Sequence, residues 1–320
     1  MLAAGRLADI FGARLVSIGL VAFGISAALP ALAHSVAALA ALLALVGVTT
    51  GMLDIAVNSE AARIEAAHRV RVMDGLHAMF SVGVLVGGAG AGFLRRAGAH
   101  PSWILAGIGV AIALSAVVNR GSGQAPARAP RRAPLGRGLL IVGGVLALAF
   151  LVENGLEGWS ALFLERTFEV SPAISGLGPG LFAASMAAGR LLAQRIAQPS
   201  VAARMLFAGV SAAGGLALAA AAPNAGLALL GFVVAGGGLA LSAPTLFGAA
   251  GRIGGEGGRG AAVSTVAILG YLGFLAGPPL IGSVAGATSL RGAFAFLGVA
   301  ALLLAACAPV LRRQAGETSP

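Results

Sequence analysis

Two carboxylates, Glu153 and Glu157, interrupt a long apolar stretch near the middle of the chain. They are four residues apart and therefore share one face of a helix. A carboxylate that lies in an apolar helix and faces a water-filled cavity can take up a proton and release it after a conformational switch. We predict that both residues couple a proton or contact a solute. Alternatively, Glu157 lies near the outer surface together with Glu165 and Glu169.

Two further polar pairs have helical spacing in the first third of the chain. Asp54 and Asn58 are four residues apart, and Asp74 and His77 are three apart, so each pair shares a helix face. A carboxylate and an imidazole in a half-buried pocket can exchange protons near neutral pH. The pairs are therefore candidate solute contacts or parts of a proton relay. Alternatively, they cap helix ends or pair with loop arginines such as Arg63.

The elements that carry these residues are apolar helices. Of the 320 residues, 58% are hydrophobic and only 10% are charged, well below the quarter that is typical of a soluble domain. Apolar runs of about 20 residues, each sufficient to cross a bilayer as a helix, recur along the whole chain. We predict an all-α membrane protein with ten transmembrane helices at 15–33, 36–56, 73–94, 102–119, 138–162, 173–195, 205–222, 225–248, 261–284 and 291–311.

The arginines predict how these helices are oriented. All 21 basic residues are arginines, and 17 of them lie in one set of alternate loops. Because basic residues concentrate on the cytoplasmic side of a membrane, this set is predicted to be cytoplasmic. The net charge of +10 therefore reflects membrane topology, and we expect no nucleic-acid partner. The other loops hold only Arg95, Arg96, Arg166 and Arg291.

A segment rich in proline, glycine and arginine divides the chain into two parts. It covers residues 120–137 and has no apolar periodicity, which is typical of a flexible linker. We predict an amino-terminal bundle of four helices at 1–119, a cytoplasmic linker at 120–137, a carboxy-terminal bundle of six helices at 138–313 and a tail at 314–320.

Glycines suggest that the two parts are related by an internal repeat. Three glycines of the third predicted span match three of the ninth at a constant offset, and small residues at such spacing form one face of a helix. Prolines in the eighth and ninth spans are expected to bend those helices. The matched sets are Gly83, Gly87 and Gly92, and Gly273, Gly277 and Gly282; the prolines are Pro244, Pro278 and Pro279.

The first residues resemble a known family. The segment from Gly5 through Asp9 and Gly12 to Arg14 is similar to the loop motif G-x-L-x-D-x-x-G-x-R of the major facilitator superfamily. In that family the motif joins the second and third of twelve helices, so the chain is expected to lack the first two. The resemblance implies a fold of two pseudo-symmetric bundles. It also implies a conformational switch, in which the carboxylate pairs with a cation or a helix N-terminus.

A narrower resemblance points to a bacterial subgroup near the fucose permeases. It rests on Gly51-Met52-Leu53-Asp54-Ile55-Ala56-Val57-Asn58, on the segment 73–83 and on Glu157-Gly158-Trp159-Ser160. This resemblance implies a proton-coupled carrier of sugars or similar polar solutes.

We therefore predict a secondary active transporter that works by alternating access, with its solute near the bilayer midplane. It is expected in the bacterial inner membrane as a monomer with both ends cytoplasmic. Its partners are a small solute, protons and lipid, with no cofactor or metal. No enzyme motif is present, since the glycines at 254–258 follow no strand and the four histidines are dispersed. The alternatives are a truncated membrane protein that does not transport, or a drug or metabolite exporter of the same superfamily.

Overall fold

The computed structural model describes residues 14–68, 73–118, 136–193 and 200–314, and these residues form helices joined by short connections, without a strand. Helices satisfy every backbone hydrogen bond within one segment, which is what an apolar chain requires in lipid. The predicted all-α architecture is confirmed. In chain order the helices are α1 (Arg14–Ala28, followed by a 3-10 turn Leu29–Leu32), α2 (Val36–His68), α3 (Met73–Arg96), α4 (Pro101–Val118), α5 (Arg137–Phe168), α6 (Pro172–Ser175), α7 (Leu177–Ala193), α8 (Val201–Ala221), α9 (Ala225–Leu239), α10 (Ser242–Ala287), α11 (Leu290–Ala306) and α12 (Ala308–Gln314).

Each of the ten predicted spans coincides with helical structure. Within the described residues, eight segments are long and apolar enough to cross a membrane. The other two predicted spans correspond to α3, which is rich in glycine and ends in two arginines, and to α7, of which 17 residues are described. The eight segments are Arg14–Leu32, Val36–Asn58, Pro101–Val118, Arg137–Phe168, Val201–Ala221, Ala225–Gly255, Ala261–Ala287 and Leu290–Arg312.

Helix α2 extends beyond its predicted span. The apolar run was expected to end at residue 56, whereas the helix continues to His68. The added turns contain alanine, glutamate and arginine, which favour helix without requiring lipid. Asp54 and Asn58 consequently lie inside a continuous helix, so the alternative that they cap its end is wrong.

Two breaks shape the last third of the chain. Helix α9 ends at Leu239 and α10 begins at Ser242, just before Pro244, in agreement with the bend expected there. Within α10 the backbone leaves helical geometry at Gly255, which has φ 62° and ψ −171°. Glycine tolerates a positive φ because it has no Cβ. The helix continues through Pro278 and Pro279 with helical dihedral angles.

The chain forms two compact units, which divide near Phe80, Leu94 and Pro130. In the first unit, α1 and α4 cross at Gly24 and Gly109, each of which lies against the carbonyl oxygen of the other. Such close backbone approach is what glycine permits between membrane helices. A buried hydrogen bond of 2.6 Å between the hydroxyls of Ser26 and Thr49 joins α1 to α2.

The second unit contains the middle of α3 and everything from α5 onward, and it has an aromatic centre. The ring centroid of Phe163 lies 4.2 Å from that of Phe294, and the centroid of Phe294 lies 5.6 Å from that of Phe232. These three fully buried rings hold α5, α9 and α11 together. Nearby, the Arg291 guanidinium lies 5.2 Å from the ring centroid of Phe168 and donates a 2.6 Å hydrogen bond to the Ala220 carbonyl.

Candidate functional site

The candidate site of the second unit is built on a close contact between α5 and the second half of α10. Gly273 lies directly against the carbonyl of Ala147, so any side chain there would overlap the α5 backbone. Further along, Gly277 faces Asn154 and Gly282 faces the Trp159 ring. Residue numbers rise together along both helices, so the helices run in the same direction. This is the direction expected for the fifth and ninth predicted spans, which both cross from the same side. The two backbones therefore hold their side chains at fixed relative heights.

Glu153 lies near the middle of α5, within the apolar segment. Its side chain is partly buried, and its Oε2 atom is shielded from solvent without a hydrogen-bond partner among the described residues. A carboxylate so placed is costly when charged and unpaired, and within a membrane it usually has a functional role. Glu153 therefore remains the predicted candidate for proton coupling or solute contact.

Two charged residues lie in the same unit as Glu153, Arg190 of α7 and Glu157 of α5. The register of α5 and α7 gives the level of Arg190 relative to Glu153. Ser160 of α5 lies beside Gly178 of α7, where a Cβ would be 3.0 Å from the Ser160 hydroxyl. Arg190 lies twelve residues, about 18 Å, beyond Gly178 on α7, whereas Glu153 lies seven residues, about 10.5 Å, from Ser160 on α5. The two backbone positions therefore differ in level by about 7.5 Å, an offset within the reach of an extended arginine side chain. The arginine, which the sequence placed with the cytoplasmic set, is thus a candidate counter-ion inside the helical unit.

An aromatic cluster lies one turn before Glu153 on α5. The ring centroid of Phe150 is 4.7 Å from that of Phe274 and 5.9 Å from that of Tyr271, both on α10. The centroids of Tyr271 and Phe274 are also 5.9 Å apart. Offset and tilted rings at these separations attract one another and give a rigid apolar wall. Such a wall can contact the carbon face of a solute while neighbouring polar groups bind its heteroatoms.

Asn154 follows Glu153 and contacts α10. Its Oδ1 atom would lie 3.1 Å from a Cβ at Gly277, so the amide rests on the glycine surface. The side chain is partly buried and has no hydrogen-bond partner among the described residues. Sequence reasoning missed Asn154 and Tyr271. The signals available were an amide inside an apolar run next to a carboxylate, and the only tyrosine of the chain.

In the first unit, Asp54 and Asn58 contact each other on α2. The Asn58 amide nitrogen donates 2.8 Å hydrogen bonds to Oδ1 of Asp54 and to its backbone carbonyl. The shared helix face predicted from their spacing is confirmed. The Asn58 amide nitrogen therefore uses its donors on Asp54, and the two residues form one hydrogen-bonded polar pair.

Most of the remaining predicted residues lie outside the described part of the structure. His77 and Asp74 belong to the first turns of α3, and their side chains lie outside the described part of the structure, as does that of Arg63. Gly5, Asp9 and Gly12 of the switch motif also lie outside the described residues, and Arg14 is the first residue of α1. In the described part of the chain, no group of three or more His, Cys, Asp or Glu side chains could hold a metal ion.

Comparison with known proteins identifies the family. The family model of the major facilitator superfamily matches residues 1–252, and the chain belongs to this superfamily. It is an all-α membrane protein and a transporter of the major facilitator type. The resemblance carried by the segment from Gly5 to Arg14 is thereby confirmed.

Bacterial relatives cover most of the chain. An uncharacterized MFS-type transporter from Yersinia pestis is 33% identical over 292 residues, which are 88% of this chain and 74% of the relative. An uncharacterized transporter from Sinorhizobium fredii is 31% identical and covers 97% of this chain and 84% of its own length. The membrane protein MosC of Rhizobium meliloti is 28% identical over 99% of this chain and 79% of its own.

Solved structures show the same fold. A bacterial homolog of the human lysosomal transporter Spinster, in an inward-facing and unoccupied conformation, superimposes with a TM-score of 0.71 at 17% identity, covering 97% of this chain and 85% of the other. The fucose:proton symporter of E. coli has a TM-score of 0.60 at 14% identity, covering 97% and 86%. At such identities the likeness establishes the fold alone.

Proposed function

We propose that this chain is a secondary active transporter that moves a small polar solute, driven by protons and by alternating access. The observation that carries the proposal is the carboxylate of Glu153, which lies within an apolar helix with one oxygen shielded and unpaired among the described residues. Protonation removes the cost of the buried charge, and deprotonation restores it. A group that favours different protonation states in two conformations couples proton movement to the conformational change.

Glu157 and Arg190 tune this group. Glu157 is a second carboxylate on the same helix face, and like charges oppose simultaneous ionisation. Arg190 is a cation on the neighbouring helix α7, and an opposite charge nearby favours the ionised form of a carboxyl group. A movement of α7 relative to α5 would change the balance between these two fields, and with it the proton affinity of Glu153.

We further propose a sugar-like solute. The aromatic wall of Phe150, Tyr271 and Phe274 lies next to Asn154, and aromatic rings beside an amide suit a molecule with both hydroxyl groups and an apolar face. One structural neighbour is a fucose:proton symporter, which supports a sugar as the first solute to test.

An exporter of organic cations is a second candidate. Aromatic rings beside carboxylates bind quaternary ammonium and phosphonium groups, and Phe150 lies one turn from Glu153. Extrusion of tetraphenylphosphonium from vesicles, without a response to any sugar, would favour this candidate.

The organisation of the chain is also part of the proposal. We propose two bundles, 1–119 and 138–313, joined by a cytoplasmic linker at 120–137. The chain would act in the bacterial inner membrane as a monomer, with both ends cytoplasmic.

Substrate-induced proton entry tests the proposal. The purified chain is reconstituted into liposomes that contain a pH-sensitive dye, and L-fucose, D-galactose and D-glucose are added outside in turn. Wild-type protein should acidify the interior with at least one sugar, whereas Glu153→Gln should give no acidification. Glu169→Gln, at the end of α5, is the matched control and should behave like wild type. Acidification by no sugar, or equal acidification by Glu153→Gln, would contradict symport.

A further inference from the structure

We infer that Asn154 determines solute specificity by forming a hydrogen bond to the transported molecule, at a position set by Gly277. The inference rests on the proposed function and deepens it, because it names the group that would recognise a neutral hydroxylated solute. Nothing about the motifs of the chain pointed to this residue.

The first argument is the chemistry of the side chain. A primary amide has two donors and one acceptor, and leaving such a group unpaired away from water is costly. Asn154 lies in an apolar membrane segment, and none of the described residues forms a hydrogen bond with it. Because the side chain is only partly buried, open space adjoins it.

The second argument is the direction of the amide. Asn154 does not project into lipid, since its Oδ1 atom lies against the backbone of α10 at Gly277. A β-carbon at position 277 would lie 3.1 Å from this oxygen, closer than ordinary van der Waals contact. Gly277 therefore lets the amide rest against α10.

The third argument is what surrounds the amide. Phe150 precedes Asn154 by four residues, so both lie on one face of α5. Phe150 packs on Tyr271 and Phe274, which precede Gly277 by six and three residues on α10. The Asn154 amide thus lies one helical turn along α5 from the aromatic wall. This arrangement fits a neutral solute whose hydroxyl binds the amide while its carbon face contacts the rings.

Asn154 and Glu153 have different roles in this account. Glu153 carries the proton, whereas Asn154 binds the solute. Loss of the amide should therefore weaken solute affinity and alter the preference among sugars, while each transported sugar remains coupled to a proton.

Cysteine labelling tests the position of Asn154 independently of any substrate. The chain contains one cysteine, Cys307, so Cys307→Ser provides a background without thiols. On it, Asn154→Cys should react with a charged methanethiosulfonate reagent about tenfold faster than Val299→Cys, because a thiol in lipid is neither ionised nor reached by the reagent. Val299 is the control, as it is apolar and 56% exposed on α11. Equal, slow labelling of both would overturn the inference whether or not any sugar is transported.

Uptake kinetics test the hydrogen bond. For a transported sugar, Asn154→Ala should raise KM about tenfold and change the order of preference within the sugar panel, with sugar-induced acidification retained. Gly277→Ala should raise KM in the same direction by displacing the amide. Gly286→Ala is its control, since a side chain there would meet no described atom within 4 Å. An equal fall in rate for every sugar at unchanged KM would overturn the specificity role.

The outcomes separate the two proposals. If no sugar drives acidification in wild type, symport fails, and the inference stands or falls on the labelling of Asn154→Cys. If Glu153→Gln uncouples transport while Asn154→Ala leaves every KM unchanged, the inference fails and the proposed function stands.

Discussion

Helices α3 and α10 contain the same pattern of glycines, and their surroundings differ. On α10, Gly273 and Gly277 lie against Ala147 and Asn154 of α5. On α3, a side chain at the matching Gly83 or Gly87 would have no described atom within 4 Å. The repeat therefore places two similar small-residue surfaces in the chain, but at these two positions only the surface on α10 is covered by a described helix. A glycine pattern predicts a surface that permits close approach and does not predict its partner.

In the third glycine pair, the glycine of α3 is packed more closely than the glycine of α10. Gly92 of α3 lies against the carbonyl of Pro172, whereas Gly282 of α10 faces only the edge of the Trp159 ring. The environment of each glycine, rather than its place in the repeat, should therefore set the cost of adding a side chain. Substitutions at the three pairs test this directly.

The largest effect is expected at the first pair. Gly273→Ala would place a methyl group onto the Ala147 carbonyl, and overpacking against backbone destabilises by about 1–3 kcal/mol or more. Gly83→Ala should be neutral or slightly stabilising, because alanine favours helix and the site is open. Thermal unfolding of the two variants in the same detergent measures the difference. Equal Tm values would show that α5 and α10 do not pack as described.

At the third pair, the larger loss of stability is expected for the substitution on α3 rather than for the one on α10. Gly92→Ala would overlap the Pro172 carbonyl, while a methyl group on Gly282 would lie 3.3 Å from a ring carbon of Trp159, which can move. Gly92→Ala is therefore expected to lower Tm more than Gly282→Ala. The opposite order would mean that the repeat, and not the local contact, governs tolerance.

The second pair should give the smallest effect on stability. Gly277→Ala has only to displace the Asn154 side chain by a few tenths of an ångström, at a cost on the order of 1 kcal/mol. Gly87→Ala should be neutral, since its site is open. If unfolding of Gly277→Ala matches that of Gly273→Ala, then position 277 is a backbone contact and not the support for a mobile amide.

Much of the fold follows from the amino-acid pattern. Apolar runs of bilayer length predicted ten helical regions, and the motif from Gly5 to Arg14 predicted the superfamily. The end of α2 was not predicted, because residues after Asn58 favour helix by propensity alone and hydropathy does not report on them. The kink at Gly255 falls between the predicted spans 225–248 and 261–284, where a glycine-rich loop was expected and the backbone is instead helical on both sides of a single non-helical residue.

The candidate site was predicted only in part. Glu153 stood out because a carboxylate in an apolar run is rare, and Asp54 with Asn58 because of their spacing. Asn154 and Tyr271 depend on which helix packs against α5, and that partner is more than 100 residues away in the sequence. Contacts of this kind follow from packing, which the sequence pattern does not encode locally.

The central claim is that Glu153 carries the coupling proton without being needed to bind the solute. The most direct measurement compares two activities of Glu153→Gln in the same proteoliposomes, exchange of labelled sugar at equal pH on both sides and accumulation driven by an imposed pH gradient. The account predicts that exchange persists near the wild-type rate while gradient-driven accumulation disappears. Accumulation at the wild-type level would contradict the claim, as would loss of both activities in a correctly folded protein.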